Sequence, residues 1–67
     1  MIRATVNGEK RDLPEGTSIL AFILLLDIAP PRVVVEHNGA VADRKSWNET
    51  VIHDGDNLEI VNFMAGG

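Results

Sequence analysis

The chain has 67 residues, of which 45% are apolar and 24% charged, with a net charge of −4 and no cysteine. That length supports one thin-cored domain burying roughly 60% of the surface of the extended chain. The missing thiols exclude disulfides, thiolate metal sites, iron–sulfur clusters and sulfur carried on a side chain.

Ile2, Ala4 and Val6 alternate with Arg3 and Thr5 in the period of a half-buried strand. Asn7-Gly8 favours a two-residue turn because both positions tolerate positive φ, so Glu9 to Leu13 is expected to return antiparallel. Pro14-Glu15-Gly16 breaks that strand, and Thr17 or Ser18 can cap a helix starting beside it. Ile19, Phe22, Ile23 and Leu26 fall on one helical face, while Leu20, Leu24 and Leu25 make the rest unusually apolar. Pro30-Pro31 forces the helix to stop and forms the crossover.

Val33-Val34-Val35 is the β-branched run expected of a strand buried on both faces in the middle of a sheet, and Asn38-Gly39 ends it with a second turn. Val41 and Ala42 begin another strand, Thr50-Val51-Ile52 is a further extended piece, and Asp54-Gly55-Asp56 is a third turn. Leu58 to Phe63 reads as the last strand. After it, Met64-Ala65-Gly66-Gly67 has too little side chain to pack and is expected to be flexible. The predicted fold is α+β, a β-grasp domain over 1–63 with a mixed sheet of four to five strands and one main helix on one face, followed by a tail over 64–67.

The scattered basic residues leave no patch for nucleic acid and favour a partner with a basic docking surface. The apolar run from Ile19 to Leu26 is too short to span a bilayer, and Met1-Ile2-Arg3 lacks the pattern of a signal peptide, so no membrane association and a cytoplasmic location are expected.

Few side chains suggest chemistry. His37 and His53 lack a sequence neighbour that completes a catalytic pair or a zinc site, and read as surface histidines. Asp54 and Asp56 lack the further oxygen ligands that calcium requires and read as turn residues. Trp47 reads as a packing residue. Leu20, Leu24 and Leu25, with Phe63 and Met64, are candidates for a docking surface; the alternative for the leucines is that loops or the proline crossover cover them.

The tail is different. Gly66-Gly67 adds nothing to stability, and without Cβ atoms it can lie extended in a narrow channel and bring a carboxylate to another protein's active site. With a reference pKa of about 3.5 that carboxylate is ionised and a poor electrophile, so it needs activation, for instance by adenylation, before a sulfur nucleophile can attack.

The segment Val33 to Gly39, the element Arg44-x-x-Trp47, the turn Asp54-Gly55-Asp56 followed by Leu58-Glu59-Ile60-Val61, and the Ala65-Gly66-Gly67 end resemble the ThiS family of sulfur carriers. The resemblance implies a non-enzymatic carrier, a monomer when free, that binds no cofactor itself. An adenylating enzyme of the ubiquitin-activating type would use ATP and magnesium to activate Gly67. A persulfide donor, such as a cysteine desulfurase, would supply sulfur, and the thiocarboxylate would pass it to thiazole synthase. Ala65 and Gly66 would let the tail enter both partners. The alternatives within the same class are a sulfur carrier of another pathway and the small subunit of molybdopterin synthase, which shares the turn and the Gly-Gly end but whose members tend to be longer and to carry proline before the tail. A ubiquitin-like tag or plain binding module is the alternative of another class.

Overall fold

The computed structural model describes residues 1–63. In chain order it comprises β1 (Ile2–Val6), β2 (Glu9–Leu13), α1 (Ile19–Leu25), β3 (Val33–His37), β4 (Ala40–Val41) and β5 (Asn57–Asn62). Short 3₁₀ turns at Pro30–Arg32 and Arg44–Ser46 lie between them. The strands form one sheet in the order β2-β1-β5-β3-β4. β1 and β5 run parallel, and the other neighbours are antiparallel. This is the β-grasp arrangement the order of elements predicts.

Both Asn-Gly pairs make the expected turns. Asn7 and Gly8 take φ of 50° and 83°, and Asn38 and Gly39 take 52° and 87°. Positive φ at both central residues gives a turn whose twist matches that of the strands it joins.

Ser18 caps α1, its Oγ accepting from the Ala21 amide at 3.0 Å. The other free amides of the first turn meet main chain: Ile19 N donates to Thr50 O at 2.9 Å and Leu20 N to Trp47 O at 3.2 Å. The helix start is thus satisfied by the 47–50 segment lying against it. At the far end Asp27 adopts a left-handed φ of 61°. Asp27 N donates to Leu24 O and Ile28 N to Ile23 O, the paired bonds of a Schellman cap.

Ile19, Phe22 and Ile23 of the helix pack on Ile2, Ala4 and Val6 of β1, on Val33 and Val35 of β3, and on Leu58 of β5. Trp47 and Ile52 close the core from the long β4–β5 connection.

Four expectations change. The central strand is β5, not the valine strand: β3 lies between β5 and β4 and is antiparallel to β5. Val33 and Val35 are buried, whereas Val34 is half-buried on the other face, so the valine run does not mark a strand covered on both sides. Thr50 to Ile52 contributes a single bridge, Ser18 with Val51, and not a strand. Leu20 is half-buried against the core, while Leu24 and Leu25 are exposed, so neither loops nor the proline crossover cover these two.

Candidate functional site

The sequence points to the end of β5 and the residues after it. Phe63, the last described residue, is held by its amide, which donates to Arg32 O at 2.6 Å, while its side chain is exposed. Met64, Ala65, Gly66 and Gly67 lie outside the described residues.

Beside this end of β5 the face of the sheet opposite the helix is apolar. Val34 of β3 stands opposite Val61 of β5, and Val41 of β4 is exposed on the neighbouring strand. A groove of about 350 Å³ opens between β3, β4 and the 43–47 turn. Of the residues proposed for docking, Phe63 belongs to this end, Leu24 and Leu25 lie at the end of α1, and Leu20 is withdrawn towards the core. The structure therefore does not bring the leucines and Phe63 together on one element.

Arg44 and Trp47 have a structural task. Arg44 Nη2 donates to Val33 O at 2.8 Å, and its guanidinium lies 5.4 Å from the centre of the Trp47 ring. Trp47 Nε1 donates to Ala42 O at 3.3 Å. β4 is two residues long and leaves Val33 beyond its reach. The guanidinium satisfies the carbonyl that a longer β4 would have paired, and blunts the open edge of β3.

The opposite end of β5 holds a polar cluster that sequence reading missed. His37 and Asp56, 19 residues apart, are joined by a 2.7 Å contact between Nε2 and Oδ2. His37 is half-buried, and so departs from the surface role expected of it; His53 is exposed as expected. Asp56 also accepts from the His53 amide at 2.8 Å and from Asn38 Nδ2 at 3.1 Å. Partial burial pushes its carboxyl towards a higher pKa, but the bonds from His37, the His53 amide and Asn38 outweigh this and hold it below the ordinary carboxylate value. Asp54 Oδ1 accepts from the Arg3 amide at 2.7 Å, so both acids of the Asp-Gly-Asp turn are bound to main chain. Among the described residues no three His, Asp or Glu side chains are grouped to hold a metal. No helix among them is long and apolar enough to cross a membrane.

Asn7 is a second long-range tie. Its Oδ1 accepts from Ile60 N at 2.7 Å and its Nδ2 donates to Ile60 O at 3.2 Å, so one side chain continues the β1–β5 ladder beyond Val6. The face around Val34, Val41 and Val61 was also missed. Its signal lay in strand parity: once Val33 and Val35 face the core, Val34 must face away.

The single helix on a five-strand mixed sheet, with a Gly-Gly sequence after the central strand, defines a β-grasp domain of the small carrier type. The ThiS family model matches residues 3–67, and the chain belongs to the ThiS family. It superposes on the crystal structure of the thiamine biosynthesis protein (ThiS) from Geobacter metallireducens with a TM-score of 0.83 and 33% identity, covering 98% of this chain and 100% of that one. It is 36% identical over 62 residues, 92% of its length, to a thiazole synthase from Magnetococcus marinus, of which that region is 19%. It is 32% identical over 66 residues, 98% of its length, to a thiazole synthase from Paramagnetospirillum magneticum, of which that region is 20%. The chain thus spans about a fifth of the length of these two relatives.

Proposed function

We propose that this chain is a sulfur carrier in thiamine biosynthesis, loaded at the carboxylate of Gly67 and discharged to thiazole synthase. The observation that carries this reading is the family match, which runs to residue 67 and takes in Ala65-Gly66-Gly67. The order of reaction is set by the chemistry of a carboxylate. An adenylating enzyme of the ubiquitin-activating type, using ATP and magnesium, joins a Gly67 oxygen to the α-phosphoryl group and releases pyrophosphate. The terminal sulfur of a persulfide donor then attacks the carbonyl carbon and AMP leaves, giving an acyl disulfide; a thiol attacks the donor's sulfur in that S–S bond, forming a disulfide with the donor and releasing the tail as a thiocarboxylate. Gly66 and Ala65 keep the tail narrow enough to enter both partners. The chain acts as cosubstrate, not as enzyme, and binds no cofactor of its own in this scheme, which fits a cytoplasmic setting.

Two further facts support it. The polar side chains that do converge, His37, Asn38 and Asp56, are engaged with one another and with main chain. The relatives named thiazole synthase favour thiazole formation over the molybdopterin pathway. The test is the intact mass after incubation with ATP, the adenylating enzyme and a sulfide source, beside a chain lacking Gly67. A mass gain of one sulfur-for-oxygen exchange on the full chain alone is expected; no gain with an active enzyme would remove the carrier reading.

A further inference from the structure

The turns Asn7-Gly8, Asn38-Gly39 and Asp54-Gly55 each set a glycine after a side chain whose Cγ its main-chain nitrogen can attack, closing a succinimide ring. Glycine makes this approach easiest because it has no Cβ to obstruct it. The same reactivity counts asparagine among the thermolabile residues.

The structure ranks the turns. Gly55 N donates to Arg3 O at 2.8 Å and Asp54 Oδ1 accepts from the Arg3 amide at 2.7 Å, so the attacking and the attacked groups are both engaged. Among the described residues neither the Gly8 nor the Gly39 amide donates a hydrogen bond, and both Asn-Gly pairs are exposed. At these two turns only the asparagine side chain has to come free.

The asparagines are held differently. Asn7 is bonded through both side-chain atoms to the main chain of Ile60, and its turn closes a hairpin of five residue pairs. Asn38 Oδ1 accepts from Asn57 N at 2.8 Å, but its Nδ2 donates to Asp56 Oδ1 at 3.1 Å, on a side chain that also serves His37 and the His53 amide. The Asn38 turn is closed by two residue pairs at the edge of the sheet. So short a pairing opens locally at lower cost than the longer hairpin.

We propose that Asn38-Gly39 is a deamidation site of the folded chain, gated by the Asp56 carboxylate, with water as co-reactant. Gly39 N bonds to Asn38 Cγ, the Cγ–Nδ2 bond breaks, and ammonia leaves with the proton given up by the glycine nitrogen. Water then opens the ring at either carbonyl, giving aspartate or isoaspartate. The net change replaces one NH by O and needs no oxidant or reductant. The product has lost the Nδ2 donor and sets a second carboxylate against Asp56, where like charges repel. Isoaspartate also adds a methylene to the main chain of the turn. The modification lies at the start of β5 and rests on none of the tail chemistry.

The test incubates the full chain in mildly alkaline buffer, folded and in urea, and digests it with trypsin, which releases residues 4–10 with Asn7 and 33–44 with Asn38. In the folded chain the NH-for-O exchange is expected in 33–44 before 4–10, and more slowly than in urea. Asp56→Ala should raise the ratio of the Asn38 rate to the Asn7 rate about tenfold, the effect of losing one hydrogen bond to a charged acceptor. Ile23→Ala, which weakens the whole domain, should not raise that ratio. Asn38→Asp, which mimics the simpler product, should melt below the wild type. Exchange in 4–10 first would overturn the proposal, as would an unmodified folded Asn38 once the urea sample has converted. A ratio unmoved by Asp56→Ala, or an unchanged melting temperature in Asn38→Asp, would do the same. If Asp56→Ala does not fold, the order of the two sites and the Asn38→Asp melt decide the matter.

Discussion

The two ends of β5 are built for different purposes. At its start, Asp56 gathers His37, Asn38 and the His53 amide, and Asn38 Oδ1 accepts from Asn57 N; Asn7, in the turn after β1, holds Ile60 further along. At its finish, Val61 and Phe63 stand exposed, and the Phe63 amide makes one bond to Arg32. One end is tied by polar contacts between residues far apart in sequence; the other is left apolar and accessible. The lesson is that in a domain this small the polar ties can gather towards one end of the central strand, so the two ends can be altered separately.

The largest effect comes from the core that both ends share. Ile23→Ala leaves a cavity beneath the sheet and is expected to cost ~3–4 kcal/mol, against a total stability of roughly 3–10 kcal/mol for this length, whereas Phe63→Ser should change stability by less than about 0.5 kcal/mol. Thermal melts followed by circular dichroism check the contrast; a comparable loss in Phe63→Ser would break it.

Next is the tied end. Asp56→Ala strands three donors and is expected to cost about 2–3 kcal/mol. Because Asp56 is held below its unfolded value, the unfolded chain binds more protons between the two values, and stability rises with pH through that window. The contribution is complete above the unfolded pKa of about 3.9 and is lost as pH falls through the folded value. Urea midpoints measured from pH 6 downwards should therefore decline in the wild type and decline less in Asp56→Asn.

Smaller effects sharpen the picture. Arg44→Met removes the bond to Val33 O and the contact over Trp47, an expected loss of ~1–2 kcal/mol. Asn7→Gly keeps the left-handed turn but cuts both bonds to Ile60, for about 1 kcal/mol. Asp27→Gly should stabilise by about 0.5–1 kcal/mol, because glycine takes the left-handed helix cap without strain. Equilibrium unfolding distinguishes all three.

Local features were legible in the sequence because they rest on neighbours. The Asn7-Gly8 and Asn38-Gly39 turns and the Ser18 cap each depend on residues within a few positions of one another, whereas the helix ends at the Asp27 cap, before the prolines are reached. Strand order was not legible in this way: the pairing of β1 with β5 joins Thr5 to Asn57, and three consecutive valines cannot report which neighbours they have. Leu20 looked free because its packing against the core depends on how the helix is set on the sheet, which helical spacing alone does not encode. The His37–Asp56 contact was hidden for the same reason, since both residues look ordinary until β3 and the last turn meet. For the candidate site, the Gly-Gly end could be read directly, whereas the apolar face beside it required the register of β3 against β5.

The central claim is that the working group is the carboxylate at Gly67 and that the domain's side chains build and present it. The most direct measurement is the intact mass, after incubation with ATP, an active adenylating enzyme and sulfide, of a chain extended by one alanine beyond Gly67, with its melting temperature taken in parallel. The account predicts an unchanged melting temperature and no sulfur-for-oxygen exchange; exchange to the wild-type extent in the extended chain would contradict it.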